Sequence, residues 1–422
     1  MLYVVAALSL IGPFFGQLLP SVVSPLAIVS AAYLLCLGIA LRKDGSKARY
    51  SPLALSWLLL AAFAVASQIV ASGYDGWIVY AFAFGAGILV FADRTRRWMI
   101  PFLSVAAAFS FIHVFATWFF YVFPATYGGL VKARFFASDF SATDYRSGLT
   151  SHYSFNAMYC VIAFAIATAV TFGAERRVSR WSGAAGALVA LSAVVLTSKR
   201  AHMILIIVAF LVVLSVSHLK GRGLRVTLIS AVGAFGVYLS TIVSPGISAS
   251  VDRFRTTFES SDLSEVTSGR TLLWDAAITG WRERPLLGHG WGSFEFVWPG
   301  GQQTSFHAHN LVLNSLYEVG ILGTLAILLC VFASLFGAFR AVRLAARSAH
   351  TSLRVGVYFA LTIQVFFAMY ALSSGELLSN AYTIAPYMLS LAIVVHVTSA
   401  RFTETPASPK TSHVATRARS VV

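Results

Sequence analysis

The sequence predicts an all-α polytopic membrane protein of about twelve transmembrane helices, with one large water-facing loop between the ninth and the tenth. Three observations carry this. Of 422 residues, 58% are apolar and 11% charged, and the mean hydropathy is +0.76, a balance foreign to a soluble globule of this size. The apolar residues also fall in continuous runs of about 17 to 25, the length a helix needs to span a bilayer; a closed barrel would require ten-residue segments of alternating polarity. Finally, the lysines and arginines cluster in alternate connections between those runs.

The runs lie near residues 2–19, 24–41, 51–70, 77–92, 99–123, 152–174, 182–198, 201–217, 226–243, 313–339, 355–373 and 378–398. The first lacks a basic n-region and a small-residue cleavage site, so it reads as a retained helix. Residues 1–243 therefore form nine helices, 244–310 a water-facing outer loop, 311–398 three further helices, and 399–422 a basic cytoplasmic tail. Cys36, Cys160 and Cys330 are odd in number and each sits inside an apolar run, which argues against a disulfide framework.

Placing the N-terminus inside puts 21 of the 31 basic residues on the cytoplasmic side, among them Arg94, Arg176, Arg222, Arg340 and Arg354. The net charge of +15 is then a topology signal and a fit to an anionic leaflet; nucleic acid is not an expected partner. The ten that remain are Lys132, Arg134, Arg146, Lys199, Arg200, Arg253, Arg255, Arg270, Arg282 and Arg284. Those in long outer segments escape the charge rule and read equally well as solvated charges. Lys199 and Arg200 do not, because they occupy a turn of a few residues between two apolar spans, where a guanidinium is costly unless it snorkels or meets an anion.

The first outer connections carry a single acid, Asp75, and the segment Pro20–Ser24 carries none, so a divalent metal lacks ligands there and a metal-free chemistry is expected. The polar stretch around 145–156 reads as turn and cap chemistry, with His152 and Asn156 four residues apart on one face. The loop is richer. Residues 268–281 have helical spacing, with Leu273, Ala277 and Trp281 four apart, and Arg270 falls in the first turn. A cation is misplaced at that end of a helix, whereas free backbone N–H groups there favour an anion; an anion site and a plain exposed arginine are both open readings.

Next, Gly288, Gly290 and Gly292 around His289 exclude a regular helix and predict a tight turn where backbones approach closely. The run His307-Ala308-His309-Asn310 then leads into a helix on which Asn310, Asn314 and Tyr317 form a polar stripe that a lipid-facing helix would not carry. Alternate histidines at a helix start point apart and have no Cys or paired carboxylate nearby, so zinc ligation is not expected. No nucleotide-binding βαβ unit accompanies the glycines, and no cofactor is expected.

Taken together, Ser268-Gly269-Arg270 with Trp274, then Pro285 to Phe294, then His309-Asn310 with Leu313, Glu318, Gly320 and Gly323 resemble the O-antigen ligase and polymerase family. Ser198-Lys199-Arg200 is similar to that family's upstream Ser-x-Arg segment. The resemblance implies a GT-C-like, metal-independent, inverting glycosyltransferase of the bacterial inner membrane. It would take a glycan from undecaprenyl diphosphate and pass it to an acceptor sugar, lipid- or glycan-linked, on the periplasmic side. By this likeness Arg200 and Arg270 clamp the donor diphosphate and His309 is the general base. Lys199, His289, Asn310 and Glu318 support them, Asn310 by orienting the base or capping its helix. A polymerase of lipid-linked repeat units is the alternative within the family. A secondary transporter is the alternative outside it, disfavoured because no charge lies at the centre of a span.

Overall fold

Whether apolar runs become membrane helices depends on where their exposed apolar side chains point. The protein, seen here in a computed structural model, is described at residues 10–14, 27–32, 34–35, 51–70, 85, 99–133, 144–217, 270–298, 304–346, 348, 350–374, 377–378 and 380–399. Among them the long helices are α1 (Pro52–Val70), α2 (Met99–Val122), α3 (Tyr153–Gly173), α4 (Arg177–Leu196), α5 (Arg200–Val216), α6 (Arg270–Glu283), α7 (Leu311–Ala345), α8 (Thr351–Ser374) and α9 (Ala381–Ser399). A two-stranded antiparallel ladder, β1 (Phe296–Val297) and β2 (Thr304–Ser305), pairs Phe296 with Ser305 inside the loop.

Six of these helices, α2, α3, α4, α7, α8 and α9, are long and apolar enough to cross a membrane, and Pro52–Gln68 and Ala201–Val216 are shorter apolar helices. Most of the runs expected near 2–19, 24–41, 77–92 and 226–243, and residues 244–269 of the loop, lie outside the described residues. α3, α8 and α9 are almost wholly enclosed by other helices. On α7, by contrast, Leu322, Leu325, Leu329, Phe332 and Phe336 recur at three- and four-residue spacing and stand more than half exposed, an apolar stripe that suits lipid and not water.

Small residues set the closest packing, as expected where lipid removes the hydrophobic drive between helices. At Gly183 of α4 a Cβ would meet Thr171 N at 2.7 Å and Ala167 O at 2.8 Å, so the two backbones touch only because glycine is there. Polar side chains inside the bundle are hydrogen-bonded in place: Trp57 Nε1 donates to Ser334 Oγ at 2.8 Å, and Gln364 Nε2 to Ser390 Oγ at 2.8 Å. Cys160 and Cys330 are buried and unpaired.

The bundle has two distinguishable ends. At one, Arg354 donates to Glu175 Oε1 at 2.7 Å and to the Gly173 carbonyl, fastening the α3–α4 connection to the start of α8. At the other, the α6 region packs a small core of Leu273, Ala277, Phe294 and Ala308 onto the first turns of α7.

The structure departs from the expected single span at 313–339. α7 begins at Leu311 and is broken at Gly320, whose φ of 64° and ψ of −169° are not helical. The break is paid in backbone hydrogen bonds from the loop: His289 N donates to Tyr317 O (3.0 Å), Gly290 N to Glu318 O (2.6 Å), Ile321 N to Pro285 O (2.9 Å) and Leu322 N to Leu286 O (3.4 Å). Non-helical backbone is tolerated in a membrane helix only when protein satisfies its polar groups, as it does here. Both Gly288 (φ 67°) and Gly320 are needed for the approach, since a Cβ on either would strike the opposite backbone.

Candidate functional site

A cavity of about 850 Å³ opens at the loop-bearing end, within the size range of small-molecule sites. Its walls come from helix ends: the start of α3 (Tyr153, Phe155), the α4–α5 turn (Ser198, Lys199) with the first turn of α5, the start of α6 (Arg270, Trp274), His309 before α7, the end of α8 (Tyr370, Ser373, Ser374) and the start of α9 (Asn380, Tyr382). Five helix N-termini thus border one cavity, each presenting the positive end of its dipole. Three carry side-chain caps: His152 accepts from Ser154 N, Asn310 from Val312 N and Leu313 N, and Asn380 from Tyr382 N. α5 has no side-chain cap from Lys199. With Lys199 and Arg270 in the wall, and no Asp or Glu among the described lining residues, the space is electropositive and favours an anion.

Arg270 begins α6, as its spacing predicts. Its guanidinium reaches across to α8, Nη1 donating to the Ser373 carbonyl at 2.6 Å. That contact answers the misplaced-cation problem: a charge unfavourable at the start of its own helix is held at the negative end of another. Lys199 sits in the turn between α4 and α5, its Nζ 4.3 Å from the centroid of the Tyr153 ring, a cation–π contact. Arg200 opens α5 at the cavity edge; its side chain lies outside the described residues.

His309 is held in an unusual backbone conformation, φ 51°, which a non-glycine residue adopts only when its neighbours impose it. Those neighbours are two asparagines. Asn310 Nδ2 donates to the Leu372 carbonyl at 3.0 Å while its Oδ1 caps α7, and Asn314 Oδ1 accepts from Ala308 N at 3.0 Å. The two asparagines of the polar stripe foreseen on this helix are therefore backbone fasteners around His309, while Tyr317 packs against His289. The His309 ring also bonds the backbone of Ser374. Burial, first, and then the charge of Arg270 lower its pKa from the usual 6.5 to about 4, so at neutral pH it is an uncharged imidazole with a lone pair to offer. His307 is lowered to about 4 as well, by burial.

His289 and Glu318 lie away from the cavity lining. His289 stacks on Tyr317, ring centroids 4.6 Å apart, with Nε2 2.9 Å from the Gly280 carbonyl. Glu318 is buried, and its carboxylate is met by the backbone N–H groups of Gly292 and Phe294 and by the Asn314 side chain. Both shape the glycine loop and keep it against the α7 break. Of the other arginines outside the clustered connections, Arg146 pairs with Asp144 at 2.7 Å, and Arg282 and Arg284 are exposed.

Three contributors escaped the sequence reading. The end of α8 supplies the carbonyls of Leu372 and Ser373 that hold Asn310 and Arg270, and its Ser373-Ser374-Gly375 run was the available signal. Trp298 lines the cavity from beyond β1. His202, in the first turn of α5, also lines it, and nothing in its apolar sequence surroundings marks it.

No curated protein matches the chain. Residues 184–329 match the family model described as O-antigen ligase, a stretch that runs from α4 into α7 and holds Lys199, Arg200, Arg270, His289, His309, Asn310 and Glu318. Over that stretch, set among long apolar helices, the chain is similar to the O-antigen ligase family.

Proposed function

We propose that this protein is a membrane glycosyltransferase that moves a glycan from undecaprenyl diphosphate to an acceptor sugar at the periplasmic face of the bacterial inner membrane, as an O-antigen ligase. The observation that carries the reading is the convergence of Lys199, Arg270 and an uncharged His309 on one electropositive cavity at the end of a membrane bundle. A lipid diphosphate is an anion tethered in lipid, and such a cavity suits its headgroup.

In the reaction His309 takes the proton of the acceptor hydroxyl as its oxygen attacks the anomeric carbon. The bond to the diphosphate oxygen breaks on the opposite face, so the anomeric centre inverts. The departing electron pair develops as charge on the diphosphate, where Arg270, Lys199 and Arg200 stabilise it; guanidinium forks match pairs of phosphate oxygens. Trp274 and Trp298 offer apolar ring faces in the same wall for a sugar.

Transfer from a defined lipid-linked glycan by the purified protein tests the activity; no transfer to any lipid A core or glycan acceptor sinks it. Reporters fused after Arg284 and after His350 should respectively read periplasmic and cytoplasmic, and the reverse pattern would refute the orientation.

A further inference from the structure

His202 is 2% exposed, in the first turn of α5, and lines the cavity beside Ala201 and Ile204. Its ring packs against Tyr370 (centroids 5.1 Å, edge-on) and Phe366 (5.8 Å). Whichever tautomer it holds, an uncharged imidazole carries one donor and one acceptor, and here Nδ1 and Nε2 are both screened from solvent and engage no hydrogen-bond partner among the described residues. Leaving each such group unsatisfied carries the full cost of its desolvation, and a leucine or phenylalanine would fill the position without that cost. Buried polar atoms of this kind call for a specific explanation.

We infer that His202 is a ligand-binding residue, donating an N–H to a diphosphate oxygen of a lipid-linked donor from the membrane-facing side of the cavity. The inference rests on the lipid-diphosphate reading of the site. It adds a contact one helical turn beyond Lys199, on the side bounded by Met158, Ile204 and Tyr370, where an isoprenoid tail would leave the cavity. The imidazole then does what the cations cannot: it adds directional hydrogen bonding among apolar side chains without placing another charge there.

The test uses the full-length protein in detergent, titrated with undecaprenyl diphosphate, with affinity read by native mass spectrometry and stability by melting. His202→Phe keeps the aromatic packing and removes both nitrogens; His202→Gln keeps a donor. Binding should weaken about ten- to a hundredfold in His202→Phe, the range for a hydrogen bond to a charged group, and should be partly retained in His202→Gln. The ligand-free His202→Phe protein should melt no lower than wild type, since it loses unsatisfied polar atoms. Unchanged affinity in both variants, as expected if only a buried water satisfies the ring, overturns the assignment, and so does failure of both variants to accumulate, which marks a packing residue. Arg270→Ala separates the two readings. If wild type binds and Arg270→Ala does not, while His202→Phe binds normally, only the His202 role falls; if wild type does not bind, the lipid-diphosphate reading falls with it.

Discussion

Arg270 Nη1 donates to the carbonyl oxygen of Ser373, 103 residues later, at 2.6 Å, and so ties the first residue of α6 to the last turn of α8. The same guanidinium faces the cavity, so one side chain both closes the site's frame and supplies its charge.

That double use makes Arg270→Lys a harsh substitution. Lysine keeps the charge but not a planar fork able to hold Ser373 and a phosphate together. Transfer should fall about ten- to a hundredfold, the value of a hydrogen bond to a charged group, at near-normal membrane levels. Near-wild-type transfer by Arg270→Ala in a purified assay would show that the residue has no role in the reaction.

His309→Ala should leave insertion intact and slow the chemical step by roughly 10²- to 10⁴-fold, the usual contribution of a positioned general base, while His307→Ala costs much less. The pH profile follows from the direction of the shift. With a pKa lowered to about 4, His309 stays a competent base down to acid pH, so the ligand-free acid limb should lie near 4 and not near 6.5. A bound diphosphate brings negative charge and should move that limb upward, toward neutrality. The same group affects stability: between about 6.5 and 4 the unfolded chain binds a proton that the folded site refuses, so folding stability declines as pH falls through that window. An acid limb that persists unchanged in the residual activity of His309→Ala would remove the base assignment.

Gly288→Ala and Gly320→Ala should each destabilise by roughly 2–5 kcal/mol, combining a left-handed backbone forced on alanine with a Cβ driven into backbone. Gly128→Ala and Gly129→Ala are the controls, because a Cβ at either meets nothing within 4 Å. Melting of the purified variants decides it: an undisturbed Gly288→Ala would mean that the loop and the α7 break are not coupled.

The contrast between these glycines shows where a sequence can be read. Apolar runs marked α2 to α5 within a few residues, because a helix that crosses a membrane has few other ways to be written. The caps at His152 and Asn310 were legible too, since Asn and polar residues before an apolar run have a local purpose. The break at Gly320 was not, because its cause is a loop about thirty residues earlier whose backbone replaces the missing helical bonds. Arg270 and His309 could be picked out as unusual residues, but that they share a wall with Lys199 depends on the end of α8, which carries no chemistry of its own. His202 was hidden, as its unsatisfied nitrogens are a property of its neighbours.

The α7 break also works as a depth gauge. From Ile321 to Phe339, before the first arginine at position 340, the helix is about 28 Å long at a rise of about 1.5 Å per residue. A hydrocarbon core is about 30 Å thick, so this uninterrupted stretch nearly fills it, and Gly320 must sit close to one headgroup layer when Arg340 reaches the other. With α7 spanning the bilayer in this way, everything anchored to the break, from Pro285 to Gly290, would lie at the boundary between oil and water. The lipid-linked donor proposed above would arrive there sideways, through the leaflet, and be met from the aqueous side by an acceptor that never enters the bilayer.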